Sequence, residues 1–335
     1  MRLEREKISW NIGVGPEVTT EYAGTTLRAY YRDAEAKLYT QRMARERFRA
    51  MYGVCPIGFS ADPPAYVGVA ALGATLVYPE DHMPMVQGYL IHDPDQVEDV
   101  HIPEHYLEHP AMVPFVEIHR IMQEALGAEV PLGGGWEGPI TSAKLLRGEA
   151  FFTDLYLRPE AAHRLLQIVT DSIIAFEREV RRFRDARLDG GIGLCDDFAG
   201  LISPEMFPEF VLPYWRQIYD AFGERPRSLH TELLRRDHLP LFSDLGLTHL
   251  NLGEDQYLTV RDVVESTDIP FSWNIRTVDH MLQGTPETIR RAYLQAVEEG
   301  APAMTVDLCA RGIPPANIQA YVEVAREMED LSDTL

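Results

Sequence analysis

The feature that most constrains the fold of this 335-residue chain is an alternation of short apolar runs with helix-period segments, repeated after Gly73. The apolar runs are bounded by turn residues, and the segments between them repeat apolar residues three and four positions apart. Strands are predicted at 74–79, 129–134, 190–195, 227–230, 247–252, 270–275 and 301–308. Helices are predicted at 114–127, 158–186, 203–223, 235–246, 259–267, 285–300 and 314–330. Strands that alternate with helices through short loops indicate a parallel sheet.

The spacing of these strands favours a closed barrel over an open sheet. No Gly-x-Gly-x-x-Gly motif follows the first predicted strand, which argues against a dinucleotide-binding domain. We therefore expect an α/β fold, a (β/α)₈ or TIM barrel in a single domain. The first 34 residues show no clean periodicity and predict an N-terminal arm, and residues 35–52 predict a charged amphipathic helix that ends at Gly53. The expected organisation is an arm and helix over 1–50, packed on a barrel over 51–335.

Composition excludes several classes of function. The formal net charge of −21 opposes binding to nucleic acid and to anionic membranes, which depends on Lys and Arg. Three cysteines are too few for a disulfide framework. No apolar run approaches the roughly 20 residues that span a bilayer, and the charged N-terminus lacks a signal-peptide core. We expect a cytoplasmic protein without nucleic-acid or membrane partners, and the sequence is compatible with a homodimer.

In a barrel of this type the active site lies where the strands end. Candidate catalytic residues at such positions are Glu137, Asp197 and Asn274. Neighbours in extended chain point to opposite sides, so only one of Asp196 and Asp197 should face the site. We expect Asp197 to position the substrate or accept its proton, and Asp196 to be a cap or structural partner. The candidate substrate wall, for which ordinary packing is the alternative, consists of Tyr66, Trp136, Phe198, Trp273 and Arg276.

His230, Glu232 and Cys309 form the most specific candidate cluster. Residues i and i+2 of extended chain point to the same side, so His230 and Glu232 can share a ligand. Cys309 follows a later strand at the same rim. An imidazole, a carboxylate and a thiolate leave a fourth position open, as in a catalytic zinc site. On spacing alone, a loop histidine, a solvated glutamate and a buried cysteine remain the alternative.

Three segments resemble the uroporphyrinogen decarboxylase family, and most closely its branch of corrinoid-linked methyltransferases. They are residues 133–148 with Glu-Gly-Pro, 195–223 with Asp-Asp-x-Ala-Gly and Ser-Pro-Glu-Met-Phe, and 312–327 with Gly-Ile-Pro-Pro. The resemblance implies zinc bound by a His-x-Cys pair and a later Cys, at the positions of His230, Glu232 and Cys309. Glu232 replaces the expected Cys but keeps its single negative charge, and whether it binds zinc or substrate is left open.

The decarboxylases of this family carry an Arg-Gln-Ala-Gly-Arg motif that holds tetrapyrrole carboxylates, and this chain has none. The resemblance therefore implies methyl transfer between a small methylated substrate and the cobalt of a corrinoid, with zinc activating the heteroatom. The harder ligand set favours oxygen, and hence O-demethylation of a methoxylated compound. The chain lacks an Asp-x-His-x-x-Gly motif, so the corrinoid must be carried by a separate protein. The alternatives are tetrapyrrole decarboxylation, methylcorrinoid:thiol or tetrahydrofolate methyltransferase activity, and a non-catalytic binding barrel.

Overall fold

The computed structural model describes residues 8–223 and 225–330. Its strands are β1 Ser9–Val14, β2 Leu76–Val77, β3 Met85–Val86, β4 Ile192–Cys195, β5 Arg227–His230, β6 His249–Asn251, β7 Phe271–Asn274 and β8 Ala303–Leu308. Its α-helices are α1 Pro16–Ala23, α2 Leu27–Arg32, α3 Ala34–Tyr52, α4 Val67–Ala71, α5 Val113–Leu126, α6 Pro139–Arg147, α7 Ala150–Leu157, α8 Pro159–Phe183, α9 Phe207–Phe210, α10 Leu212–Ala221, α11 Val260–Ser266, α12 Pro286–Glu298 and α13 Pro315–Asp330. Short 3₁₀ helices cover Pro94–Asp99, Ala199–Leu201 and Arg236–Leu245, and a π-helical turn covers Thr277–Leu282.

Six parallel strands form the main sheet, in the order β1-β8-β7-β6-β5-β4. Two extended segments continue it beyond β4. Gly138 N donates to Cys195 O of β4 over 2.6 Å, and Ala61 N donates to Pro131 O over 2.8 Å. With helices between successive strands, these eight positions confirm the predicted α/β barrel fold. The segment 129–134, predicted as a strand, occupies one of the positions without forming a regular ladder.

Two predictions about the sheet were wrong. The first 34 residues contain β1, which pairs in parallel with β8 from Ser9–Ala303 to Val14–Leu308. The part of the chain before residue 50 therefore supplies a strand of the sheet, although residues 1–7 of the expected arm lie outside the described part. The apolar run 74–79 does contain a strand, but this strand pairs antiparallel with β3 in a separate hairpin.

Helix boundaries follow the capping residues. Gly53 ends α3 and Gly127 ends α5, both in the left-handed conformation that glycine adopts without a Cβ clash. The Thr285 side chain caps α12 by accepting a hydrogen bond from a backbone N–H. The helix predicted at 203–223 begins only at Phe207 and is broken at Val211, between its two prolines, because proline lacks the donor that a continuous helix needs. None of the helices in the described part is long and apolar enough to cross a membrane.

The two faces of the sheet differ sharply in polarity. In-register neighbours on one face are Leu194, Leu229, Leu250 and Phe271, all at most 5% exposed and packed beneath the helices. On the opposite face, in-register neighbours are polar: one row consists of Cys195, His230, Asn251 and Ser272, and another of Asn274, Thr305 and Asn11. The hydrophobic core therefore lies between sheet and helices, and the inside of the barrel is polar.

Candidate active site

A cysteine, an aspartate and a histidine meet where β4 and β5 end. Cys195 and His230 are register partners, and Asp197 follows β4 by two residues. The Cys195 thiol donates to Asp197 Oδ1 over 3.3 Å, and the same oxygen is 3.3 Å from His230 Nε2. One ligand atom from each residue lies within 4.8 Å of the other two. Imidazole nitrogen, carboxylate oxygen and cysteine sulfur are the donors that zinc prefers, so these residues fit a zinc ion.

Glu232 approaches the same imidazole from the β6 side. Its Oε1 is 4.0 Å from His230 Nε2 and accepts a hydrogen bond from Glu254 N over 2.9 Å. The Glu232 carboxylate can lie here only because residue 253 is a glycine: a Cβ on Gly253 would lie 2.1 Å from Glu232 Oε1. Gly253 also has a φ of +55°, which glycine adopts more readily than other residues. The loop after β6 thus holds the Glu232 carboxylate towards His230.

Cys309 is at the same end of the barrel but outside this contact group. Its thiol donates to Thr277 Oγ1 over 3.7 Å, and the residue is exposed. Among the described residues, the donors within 4.8 Å of one another are those of Cys195, Asp197 and His230. Of the predicted metal ligands, the structure therefore brings His230 and Glu232 together and leaves Cys309 apart.

The electrostatics of this group favour a cation. Burial by itself lowers the pKa of His230, but the hydrogen bond to Asp197 and the charges of Asp197 and Glu232 outweigh it and raise the pKa. Burial raises the pKa of Asp197, and the hydrogen bonds to His230 and Cys195 reverse this, so the net pKa is lowered. A positive charge on the imidazole is thus stabilised by two carboxylates, and a bound metal ion would benefit from the same field.

Glu137 closes the site on the other side of β4. It is 9% exposed, and its Oε2 has no hydrogen-bond partner among the described residues. Burial is the main cause that raises the pKa of Glu137, and the charge of Asp197 raises it further. A hydrogen bond with Cys195 lowers it in part, and the resulting pKa is about 8. Tyr66 lies beside these groups, and burial followed by the charges of Glu137 and Asp197 raises its pKa to about 12.

The prediction that Asp196 is structural is confirmed. Its carboxylate accepts hydrogen bonds from Ile140 N, Thr141 N, Thr141 Oγ1 and Trp215 Nε1, and it is fully buried. It therefore caps the start of α6. A Cβ on Gly138 would lie 2.4 Å from Asp196 Cγ, so the Glu-Gly-Pro motif combines an inward Glu137, a glycine that admits Asp196, and a proline at the first turn of α6.

Asn274 and Asp307 form the opposite wall. Asn274 Nδ2 donates to Asp307 Oδ2 over 3.3 Å, while Asn274 Oδ1 has no partner among the described residues. Asn274 is 6% exposed. Burial raises the pKa of Asp307, and the nearby charge of His230 lowers it in part, which places Asp307 in the field of the metal-type group.

Four of the predicted substrate-wall residues make contacts outside the group around His230. Trp136 Nε1 donates to Glu177 of α8 over 3.2 Å, so its ring faces the helices. Trp273 is the register partner of Met304, on the apolar face of β7. The Phe198 ring lies under Lys144 Nζ of α6, 4.5 Å from its centroid. Arg276 forms an ion pair with Asp279 over 3.2 Å and lines, with Trp273 and Asn274, a cavity of about 100 Å³ that does not include His230.

Three polar residues of the site were not predicted: Cys195, Asp307 and Glu254. The signal for the first two was present, because Cys195 and Asp197 are two apart in extended chain, as are Asp307 and Cys309. Glu254 follows β6, a strand end at which the sequence pattern indicated no candidate. Its carboxylate accepts a hydrogen bond from Thr277 N, so it joins the loops after β6 and β7.

Enzymes with an α/β barrel hold their active sites where the strands end, as the polar group around His230 is placed here, and the sequence identifies the family. Residues 13–328 match the family model described as uroporphyrinogen decarboxylase (URO-D), and the chain belongs to that family.

Its relatives carry two kinds of name. Two proteins named methylcobamide:CoM methyltransferase MtbA are similar to it. The one from Methanosarcina acetivorans is 26% identical over 63% of this chain and 62% of its own length. The one from Methanosarcina mazei is 26% identical over 62% of this chain and 61% of its own length. The chain thus matches about three fifths of the length of these relatives. A uroporphyrinogen decarboxylase from Syntrophotalea carbinolica is 32% identical over 33% of this chain and 34% of its own. The solved structure of a methyltransferase from Methanosarcina mazei shares the fold, with a TM-score of 0.74, 19% identity, and coverage of 96% of this chain and 94% of that one.

Proposed function

We propose that this protein is a zinc-dependent methyltransferase that moves a methyl group between a small methoxylated substrate and the cobalt of a separate corrinoid protein. The observation that carries the proposal is the position of the His230 imidazole between two carboxylates, 3.3 Å from Asp197 and 4.0 Å from Glu232, at the end of the barrel. The similarity to the MtbA proteins supports methyl transfer as the reaction class.

The metal ligands in this proposal are His230, Glu232 and Cys309. Cys309 would have to leave its contact with Thr277 and approach His230 to join them, whereas the Cys195 thiol already lies in the group around that histidine. His230 and Glu232 already share a contact, and Glu232 is held in place by Glu254 N. Asp197 keeps a negative charge beside the imidazole and so helps to attract the cation. Zinc, when bound, supplies a Lewis acid for the departing or attacking heteroatom of the substrate. A carboxylate in place of one thiolate makes the set harder, which favours an oxygen atom as that heteroatom.

Tetrapyrrole decarboxylation is less well supported by the charges of the site. A substrate with several carboxylates needs unpaired arginines, because bidentate Arg–carboxylate contacts provide both energy and geometry. Arg276 is paired with Asp279, and Arg311 with Asp81. The groups that face the barrel interior are acidic instead, notably Glu137, Asp197 and Asp307.

The decisive experiment compares zinc content and methyl transfer to cob(I)alamin in the wild type, Glu232→Gln and Glu232→Cys. Glu232→Gln keeps the shape and removes the charge, so zinc binding should weaken and transfer should fall by about 100-fold or more. Glu232→Cys should restore zinc binding. Glu298→Gln, on the exposed face of α12, is the matched control and should change neither. Undiminished transfer by zinc-depleted Glu232→Gln would contradict the mechanism.

A further inference from the structure

Among the described residues, two that are not glycine have a positive φ: Asp185 at +51° and Leu233 at +60°. Aspartate tolerates this left-handed conformation because its short polar side chain can form local hydrogen bonds, whereas the Cβ of a leucine lies too close to the backbone there. Such strain persists only where the surrounding structure enforces it, and it is concentrated at functional sites. Leu233 directly follows Glu232, whose carboxylate approaches His230.

The side chain of Leu233 does not explain its conformation. Leu233 is half-buried and belongs to neither hydrophobic cluster of the described core, whereas the next residue, Leu234, is fully buried in it. A glycine at position 233 would adopt the same φ without a clash. The cause of the strained conformation therefore lies in the backbone around Leu233.

The backbone is fixed on both sides of residues 232–233. Before them, Thr231 N donates a hydrogen bond over 3.1 Å to Asn251 O, at the end of β6. After them, Leu234 N donates over 2.7 Å to Asp255 Oδ2, and both of these residues are buried. The chain has to connect these two fixed points within two residues.

Gly200, the last residue of the Asp-Asp-x-Ala-Gly motif, lies directly against this connection. A Cβ on Gly200 would lie 2.1 Å from Glu232 O and 2.6 Å from Leu233 C, which is far inside van der Waals contact. The backbone of residues 232–233 therefore cannot move towards the loop after β4. On the other side, Arg235 Nη1 donates to Leu233 O over 2.9 Å, and its guanidinium stacks on the ring of Tyr257.

From this geometry we infer that Leu233 is a positioning residue: its left-handed backbone directs the Glu232 side chain towards His230, and Gly200 enforces that conformation. The inference rests on the proposed function, in which Glu232 binds zinc. Because Leu234 is fixed, a change of φ at residue 233 rotates the part of the chain that precedes it. Such a rotation would turn the Glu232 carboxylate away from His230 and from Glu254 N, which donates to it over 2.9 Å.

Substitutions at position 233 separate the role of the backbone from that of the side chain. Leu233→Gly and Leu233→Asn remove the apolar side chain but favour a positive φ, whereas Leu233→Val keeps an apolar side chain whose branched Cβ disfavours a positive φ further. We expect zinc affinity, measured by chelator competition, to stay within about threefold of wild type in the Gly and Asn variants and to fall about tenfold or more in Leu233→Val. If the side chain acted only as an apolar contact, the order would be reversed.

Gly200→Ala tests the second half of the inference without a change at position 233. The new Cβ should displace residues 232–233 and weaken zinc binding about tenfold or more. Leu201→Val is the matched control, because Leu201 is a half-exposed leucine of the same loop that lies in a 3₁₀ turn and has no positive φ. It should keep the zinc affinity of the wild type.

The hydrogen bond from Glu254 N to Glu232 Oε1 gives a readout that does not depend on zinc. In the zinc-free protein, the Glu254 amide should exchange its hydrogen about tenfold faster in Leu233→Val and in Gly200→Ala than in the wild type, because it has lost its acceptor. Exchange in Leu233→Gly and in Leu201→Val should stay near that of the wild type. Circular dichroism checks that each variant is folded, and Gly200→Ala keeps the comparison possible if Leu233→Val does not fold.

Wild-type zinc affinity and wild-type exchange at Glu254 in both Leu233→Val and Gly200→Ala would overturn the inference. A loss of zinc affinity in Leu233→Gly as large as that in Leu233→Val would also overturn it. Failure of the proposed function gives a different result: zinc binding would be absent or unaffected by Glu232→Gln, while exchange of the Glu254 amide would still follow the φ preference of residue 233.

Discussion

Gly138→Ala tests the close contact between Gly138 and the Asp196 side chain at the start of α6. The new Cβ would lie 2.4 Å from Asp196 Cβ and Cγ, whereas carbon atoms in ordinary contact are about 3.5–4.0 Å apart. Asp196 cannot turn away without losing hydrogen bonds from Ile140, Thr141 and Trp215. The backbone at Gly138, with φ −60° and ψ 170°, is one that alanine adopts freely, so the clash is the whole perturbation.

Overpacking of this kind destabilises the folded protein by about 1–3 kcal/mol. Replacing glycine also reduces the conformational freedom of the unfolded chain, which stabilises the protein by about 0.4–1 kcal/mol. Because the Asp196 side chain is held by four hydrogen bonds and cannot move away easily, we expect the free energy of unfolding to fall by about 2 kcal/mol net. Urea denaturation followed by circular dichroism measures it. Gly58→Ala is the matched control, since a Cβ there meets nothing within 4 Å, and it should be neutral or slightly stabilising. Equal urea midpoints for the two variants would refute the argument.

Two further predictions concern a buried lysine and the support of Glu232. Burial lowers the pKa of Lys37 to about 7, although its ammonium donates to Asp62 O over 2.8 Å. Between pH 7 and 10.5 the unfolded chain therefore binds more protons than the folded protein. The free energy of unfolding of the wild type should rise with pH across this window, by about 5 kcal/mol at most, relative to that of Lys37→Met. If urea titrations gave parallel curves of stability against pH for the two proteins, this prediction would be wrong. Gly253→Ala should displace the Glu232 carboxylate and weaken zinc binding at least about tenfold, whereas Gly127→Ala, with a similar positive φ and open space around it, should keep wild-type zinc affinity in a chelator competition.

Periodicity predicted the strands whose outer face is apolar, and it failed for β1. In Ser9–Val14, the apolar residues Trp10 and Ile12 alternate with Asn11 and Gly13, which lie on the side of the strand that borders the polar interior. The strand therefore contains no continuous apolar run. The run 74–79 is apolar enough for a strand, but composition cannot tell which partner a strand will choose. Leu76–Val77 pairs with its near neighbour Met85–Val86 instead.

The site was predictable wherever side-chain alternation was applied. The alternation correctly separated Asp196, which caps α6, from Asp197 at His230. Applied to the neighbouring pairs of the substrate wall, the same rule would have placed Trp136 opposite Glu137 and Trp273 opposite Asn274. The distance of Cys309 from His230 depends on the loops after β7 and β8, whose conformation the sequence pattern does not specify.

The polar interior of the barrel separates the residues that stabilise this protein from those that would determine its substrate. Leu229 and Leu250 are buried on one side of the strands, whereas His230 and Asn251 are on the other, one residue away. Substitutions on the inner side that leave no buried polar group unpaired remove little buried apolar area, so they should change thermal stability only slightly. New substrate preferences could then accumulate in this barrel, by mutation or by directed evolution, without the compensating stabilising mutations that a reshaped hydrophobic core requires.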